Sequence, residues 1–359
     1  MEKTAANTFI LGFQLGSTMN IDSDDESIDE DDVKDVGIFL LGLGNVGRAF
    51  IRLVFSSKKR HLQMEKMRLR FLAVSDSSQM IVAQRSRDGI PDSEISKLVH
   101  HKEIGNRLST FSCDTKTTAA IQSNELYRIL EISHELAKYD HLIVVDTTCS
   151  DTSSMLRNAV EGFDCSIVSA NKKPFADSDM KTFKSLTLHR STRFESTVGA
   201  GLPVISTIDR LLRGGDEIVR IAGSLSGTLG YIMSRIQNGK TRFSDAVQDA
   251  KARGYTEPDP RDDLSGTDVA RKALIMARRM GLNVSMRDVK IEALFPDSMI
   301  CLSLEDFMKK LPELDTDMRA RVRSVFVDAL ELKSALEYTL EHRYRTRKIV
   351  MHAFDTSRP

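Results

Sequence analysis

The run Gly254–Lys272, GYTEPDPRDDLSGTDVARK, gathers side chains that could do chemistry together. Five acids (Glu257, Asp259, Asp262, Asp263, Asp268) and three bases (Arg261, Arg271, Lys272) fall within 16 positions. Pro258 and Pro260 exclude helix through Thr256–Asp259 and impose an extended or turning backbone. Beyond them the pattern becomes helical, with Val269, Leu274 and Ile275 on an apolar side and Asp268 and Lys272 four apart on one face. Two acids and an amine around a rigid turn could hold an amino acid and deliver a proton. The same composition also makes a salt-bridged loop.

A second set of residues would serve a cofactor. In VGIFLLGLGNVGRAF, Val36–Leu41 reads as a buried strand and Val46–Phe55 as a helix. Gly42, Gly44 and Gly47 occupy the three fingerprint positions between them. The first glycine allows a tight turn, the second lets backbone approach a pyrophosphate, and the third permits close helix–strand packing. N–H groups at Asn45 and Val46 would add to the positive helix N-terminus. This predicts a dinucleotide site, the alternative being an ordinary glycine-rich turn. The next strand, Leu69–Ser75, ends at Asp76, where an acid commonly takes ribose hydroxyls and would favour NAD. Arg85 and Arg87 nearby could instead serve a 2′-phosphate, so NAD against NADP stays open.

Other candidates stand at predicted strand ends. After His141–Val145 comes DTTCS, where Thr148 could meet the nicotinamide half. Cys149 is either a thiol nucleophile or a small residue on a cleft floor, with no histidine near it in sequence. Strand Cys165–Ala170 leads to Asn171–Pro174, where Lys172 sits on the rim or pairs with an acid at a helix start. In Phe194–Ile205 a strand, a glycine-rich loop and a helix led by Pro203 follow in turn, and exposed carbonyls there with Glu195 could hold a hard monovalent cation.

The elements that must carry these residues define an α/β fold. A Rossmann-type nucleotide-binding domain is expected over 35–178, and an α+β catalytic and dimerisation domain over 179–320. Residues 1–34 read as an acidic, disordered tail, since Asp22–Asp35 holds nine acids against one lysine. Residues 77–120 read as polar and irregular, with His100 and His101 on the surface, and 123–138 as a helix. Strands are expected at Ile218–Ser224 and Val289–Leu294, and helices at 151–161, 204–213, 226–237, 243–253, 267–280 and 304–310. Asp315–Leu336 is helix-compatible, and His342–His352 alternates as an edge strand would.

Composition narrows the function classes. Lys+Arg and Asp+Glu both total 51, which speaks against nucleic acid or an anionic membrane as partner. No apolar run reaches membrane-spanning length. Four widely spaced cysteines form no zinc pattern and suit a reducing compartment. A cytoplasmic location is expected, with a plastid as the alternative if the true N-terminus lies elsewhere.

Taken together, GLGNVG (Gly42–Gly47), VDTTCS (Val145–Ser150), SANKKP (Ser169–Pro174), ESTVGAGLPVI (Glu195–Ile205), GSLSGTLGYIMS (Gly223–Ser234) and the opening run resemble homoserine dehydrogenase, in that family's order. The resemblance is to the monofunctional plant-like or fungal-like form. It implies reversible NAD(P)H-dependent reduction of L-aspartate 4-semialdehyde to L-homoserine, on the route to threonine, methionine and isoleucine. It assigns acid–base chemistry to Lys272, with Asp268 beside it. Glu257 would bind substrate, Lys172 would stand between substrate and cofactor, and Thr148 would contact the cofactor. Glu195 with the carbonyls of Val198, Ala200 and Leu202 matches a sodium site, and a homodimer is implied, with Val219–Leu225 as a participant. Family members continue past the catalytic domain with further strands, a glycine-rich turn and a closing helix. Here no glycine follows Gly281, so 321–359 is expected to be an atypical, shortened segment. Two alternatives stay open: a catalytically impaired nucleotide-binding homologue, and a semialdehyde dehydrogenase using Cys149.

Overall fold

The computed structural model describes residues 32–84, 88–121, 141–188, 191–221, 223–237, 239–327, 337–340 and 349–352. Residues 1–31 of the expected tail, the helix expected over 123–138, and Arg85 and Arg87 lie outside that set.

Strand β1 (Lys34–Leu41) is the axis of a seven-stranded sheet. Its residues alternate between two apolar layers, as the two-residue period of a strand requires. Phe39 and Leu41 face one core, Ile38 and Leu40 the other. On one side β1 pairs in parallel with β2 (Met67–Ser75), and on the other with β5 (His141–Asp146). The sheet continues in parallel through β6 (Ser166–Ser169) to β7 (Thr192–Arg193). Beyond β2 it is closed by two antiparallel strands, β3 (Met80–Ala83) and β4 (Thr118–Ile121).

The stretch 77–120, expected to be irregular, therefore holds two strands and a helix, α2 (Asp92–Glu103). Met80–Ala83 is only four residues long, too short for a periodic signal. In α2 three buried apolar residues, Ile95, Leu98 and Val99, make a narrow stripe among charges. Helix α1 runs from Asn45 to Glu65, nearly three turns past the expected end at Phe55. Its basic second half is helix-compatible, and the chain leaves it through Lys66 at φ 53°.

On the opposite face pack α3 (Ser153–Phe163), the short α4 (Lys173–Ala176) and α5 (Met180–Leu188). Because β7 follows α5, the sheet reaches past residue 178. The second lobe is mainly helical. It comprises α6 (Val204–Arg213), α7 (Gly227–Ile236), α8 (Phe243–Ala252), α9 (Pro260–Leu264) and α10 (Thr267–Arg279), then α11 (Leu304–Lys310) and α12 (Asp315–Val327). Helix α10 is its centre, buried on most sides through Val269, Ala270, Ala273, Leu274, Ile275 and Met276. One continuous apolar core joins it to Phe39, Phe175 and Phe194 of the first lobe. The strand expected at Val289–Leu294 shrinks to β8 (Val289–Lys290). It edges a three-stranded antiparallel sheet with β9 (Glu337–Leu340) and β10 (Ile349–His352). Ile218–Ser224 is not a strand in its described residues, and neither sheet formed by the described strands includes it.

The turn from β1 into α1 admits little change. Gly42 sits at φ +90°, a region other residues rarely adopt. A Cβ on Gly47 would stand 2.0 Å from the Gly42 carbonyl oxygen. Gly47→Ala is thus expected to destabilise the protein by roughly 1–3 kcal/mol in urea denaturation, through forced backbone displacement. An unchanged midpoint would contradict this packing.

Candidate functional site

The glycine turn faces the loop that follows β5. Thr147 donates its hydroxyl to the carbonyls of Leu41 (3.0 Å) and Gly42 (2.6 Å), and its N–H bonds Leu41. The space beside Gly44 is open, with no atom within 4 Å of a built Cβ. No side chain caps the start of α1, so the N–H groups at Asn45, Val46 and Gly47 open the helix without a protein acceptor of that kind. An open space, uncapped amides and a 21-residue helix together form a cradle for an anion.

Under this loop lies a buried polar knot that sequence reasoning passed over. Asp146 is fully buried and accepts from the Thr148 N–H (2.9 Å) and hydroxyl (2.7 Å) and from the Thr152 hydroxyl (2.5 Å). Asn171 donates to Asp146 (3.0 Å), Thr148 (3.1 Å) and the Ser150 carbonyl (2.8 Å). The knot ties the end of β5 to the end of β6 and holds Thr148 in one orientation. An acid closing an apolar strand, followed by Thr-Thr, was the available signal.

Asp76 is not free to take a ribose. Its carboxylate accepts from the Ser78 N–H (2.8 Å) and hydroxyl (2.6 Å), the Gln79 N–H (3.1 Å), Lys102 (2.7 Å) and the Leu108 N–H (3.0 Å). Five donors exceed the four lone-pair directions of a carboxylate. Burial alone would raise its pKa, but Lys102 and these donors hold it well below the usual range. The residue locks the β2–β3 turn against α2, and the reading of Asp76 as a sign of NAD preference fails for that reason.

One carboxylate pairs with lysines of both lobes. Asp268, in the first turn of α10, pairs through one oxygen with Lys172 (3.0 Å) and through the other with Lys272 (2.9 Å). Lys172 comes from the end of β6 in the first lobe, and Lys272 is one turn along α10 from Asp268. The Lys272 ammonium also donates to the Leu225 carbonyl at 2.6 Å, which aims it. Burial pushes the Asp268 carboxyl up, and the charges and hydrogen bonds of Lys272 and Lys172 more than reverse this, leaving it below its ordinary value. Two ammonium groups share one negative charge, so the cluster can stabilise an additional anion or a developing alkoxide.

The structure divides the run Gly254–Lys272 by position. The outer half is a salt-bridged loop. Asp259 caps α9 by accepting from the Arg261 N–H, and binds the Arg261 guanidinium. Arg261 also donates to the carbonyls of Ile300 (2.9 Å) and Leu302 (2.7 Å) and lies over the Phe307 ring. The inner half is the lysine–aspartate cluster. Between them Asp263 accepts the Glu257 N–H at 2.8 Å, and burial is the main reason its pKa is raised. Glu257 is exposed, held by its backbone, with no side-chain partner shown among the described residues.

Glu195 sits in a single 3-10 turn after β7. Its two oxygens accept from the N–H groups of Ile205 (2.7 Å) and Ser206 (2.9 Å) at the start of α6. Ala200 is held at φ 53°, which turns the loop back toward Glu195, while the Leu202 carbonyl accepts from Val204. Among the described hydrogen bonds none ends on the carbonyls of Val198 or Ala200. An all-oxygen set with unengaged carbonyls suits a hard cation. Cys149 is exposed on the post-β5 loop. Of the described histidines, His141 lies at the other end of β5, His61 belongs to α1, His100 and His101 to α2, and His352 ends β10. Among the described hydrogen bonds none joins a histidine to this thiol.

Fold and cluster together define a Rossmann-type α/β protein whose second, helical lobe delivers an acid and an amine to the sheet's carboxyl edge. Residues 203–347 match the model of the homoserine dehydrogenase family. Homoserine dehydrogenase of Saccharomyces cerevisiae is 33% identical over 294 residues, 79% of this chain and 75% of the yeast protein. The chain belongs to the homoserine dehydrogenase family. A chloroplastic bifunctional aspartokinase/homoserine dehydrogenase of Zea mays is 47% identical over 156 residues, 42% of this chain. The chain spans only 14–35% of the length of the plant and bacterial bifunctional relatives it matches. Among solved structures, a Candida auris protein of unknown function superposes with TM-score 0.65 at 26% identity, covering 88% of this chain and 83% of that one. A hyperthermophilic archaeal homoserine dehydrogenase in complex with NADPH shares the fold, with TM-score 0.53 at 24% identity over 72% of this chain and 77% of its own.

The lowered pKa of Asp268 makes a pH prediction. Its unfolded value is about 3.9 and its folded value is lower. The stabilisation is therefore fully present above the unfolded value and is lost as pH falls through the folded one. The melting temperature of the parent protein is expected to exceed that of Asp268→Asn by a constant amount near neutral pH, and the gap to close below about pH 4. A gap that widens on acidification would contradict the cluster.

Proposed function

We propose that this protein is a homoserine dehydrogenase, interconverting L-aspartate 4-semialdehyde and L-homoserine with NADP or NAD. The observation that carries the reading is the single Asp268 carboxylate joining Lys172 of the nucleotide-binding lobe to Lys272 of the helical lobe. In this reading the dinucleotide pyrophosphate lies on the N–H groups of Asn45, Val46 and Gly47, against Gly42 and Gly44. Thr148, braced by Asp146 and Asn171, borders the nicotinamide. The bound dinucleotide supplies hydride chemistry at its nicotinamide ring.

The chain's own residues do the rest. Glu257, fixed through its backbone and with its carboxylate outward, receives the substrate ammonium. Lys172 lies between substrate and cofactor. Lys272, aimed by the Leu225 carbonyl, stabilises the alkoxide that develops on the former aldehyde oxygen and gives it a proton; in reverse it takes that proton back. Asp268 keeps the two ammonium groups at a fixed separation. Glu195 and the carbonyls of Val198, Ala200 and Leu202 would hold a sodium ion that stiffens the loop leading into α6.

A homodimer fits Ile218–Ser224, which forms no strand in its described residues and includes Val219 at 66% exposure. A second copy would complete a sheet there. Balanced charge argues against nucleic acid as partner, and among the described residues no helix is long and apolar enough to cross a membrane. A cytoplasmic location agrees with four free cysteines, while the names of the plant relatives carry the word chloroplastic.

Lys272→Ala is expected to lower kcat for L-homoserine oxidation by about 10²–10⁴-fold, with dinucleotide affinity by fluorescence titration unchanged. Near-parental kcat would overturn the assignment of Lys272. For the cation, the melting temperature is expected to be higher in sodium chloride than in choline chloride at equal ionic strength, with the difference abolished in Glu195→Gln. Equal melting temperatures for the parent protein in the two salts would remove the sodium site.

A further inference from the structure

The segment that carries Lys172 lies along α10 and is gripped at three points. At the near end Lys172 meets Asp268 at 3.0 Å. One turn on, the Arg271 Nε donates to both oxygens of Asp177, at 2.9 and 3.2 Å. At the far end Arg278 donates to the carbonyls of Phe175 and Ser178, both at 2.9 Å. Asp268, Arg271 and Arg278 stand at i, i+3 and i+10, on one stripe of the helix about 15 Å long at 1.5 Å per residue.

Arg278 is an unusual choice for its surroundings. It is 5% exposed, lies over the Phe183 ring, and its hydrogen bonds all end on main-chain carbonyls, the third being that of Val284 at 2.9 Å. Burying a guanidinium without a carboxylate in contact is costly, and an apolar side chain would fill that space with less penalty. The charge serves to fasten the 175–178 turn to the helix that also holds Asp268 and Lys272. Neither arginine is within the lysine–aspartate cluster itself.

We propose that Arg271 and Arg278 are positioning residues. They clamp the 172–178 segment of the nucleotide-binding lobe onto α10 and thereby set where Lys172 stands relative to Asp268 and Lys272. The two lobes supply the two halves of the site, so their register along this helix determines the distance between the lysines. The proposal rests on the functional reading above for its kinetic consequence, but not for its structural one.

The surface pair Arg271–Asp177 allows a test that does not disturb the core. The variants are Arg271→Ala, Asp177→Ala, the double variant, and the exchanged pair Arg271→Asp with Asp177→Arg. Amide exchange at Phe175, Ala176 and Asp177, which bond to the carbonyls of Lys172 and Lys173, is expected to accelerate in each single variant and to recover in the exchanged pair. Each single variant is expected to lose about tenfold in kcat/KM for L-homoserine with dinucleotide Kd unchanged, and the double variant to be no worse than either single one. Additive losses, or losses that merely track melting temperature, would overturn the clamp, as would unchanged exchange at these three amides. Should the parent protein fail to oxidise L-homoserine, the functional reading falls. The exchange data then decide the clamp alone: acceleration upholds it, and no change overturns it.

Discussion

The structure depends on one carboxylate being shared by two lobes. Asp268 can pair with Lys172 and Lys272 together only if the end of β6 and the first turn of α10 arrive at the same place. The continuous core that joins Phe39, Phe175 and Phe194 to the buried faces of α10 brings them there. The stacked Phe175 and Phe194 rings, 4.7 Å apart, stiffen the turn directly behind Lys172. Apolar packing thus brings the two ends together, and the carboxylate sets the charge balance. Two positive charges against one leave the cluster receptive to electron density from a third group.

Around this point, some carboxylates are filled by neighbouring donors and others are left open. Asp76 and Asp146 have their acceptors filled by neighbouring donors and act as fasteners for the turns that border the cradle. Glu257 is held only through its backbone, and the space beside Gly44 is empty. Saturated carboxylates brace the structure, and open ones are available to a ligand.

Much of this was legible in the residues. The strand–GLGNVG–helix order and the helical spacing of Asp268 and Lys272 both carry local periodic signals, and both elements form as expected. Gly254–Lys272 reads as either a salt-bridged loop or a site; its outer half is salt-bridged, and its inner half brings Asp268 together with Lys172 and Lys272. What escaped was non-local. β3 and β4 are four-residue strands whose stability comes from pairing at the edge of the sheet and not from their own pattern, and α2 buries only a narrow stripe. The saturation of Asp76 depends on Lys102 and Leu108, far along the chain and invisible to spacing. Arg278, in a helix of otherwise apolar buried residues, looks like a surface arginine until the carbonyls of Phe175 and Ser178 are brought to it.

The central claim is that the junction of the two lobes is a site of hydride transfer to and from homoserine. Its most direct test uses L-homoserine deuterated at the carbon bearing the hydroxyl, incubated with the purified protein and oxidised NADP or NAD. The account predicts reduced dinucleotide that forms only when homoserine is present and carries deuterium on the nicotinamide ring. Reduced dinucleotide without the label, or no reduction by a protein that still binds the dinucleotide, would contradict it.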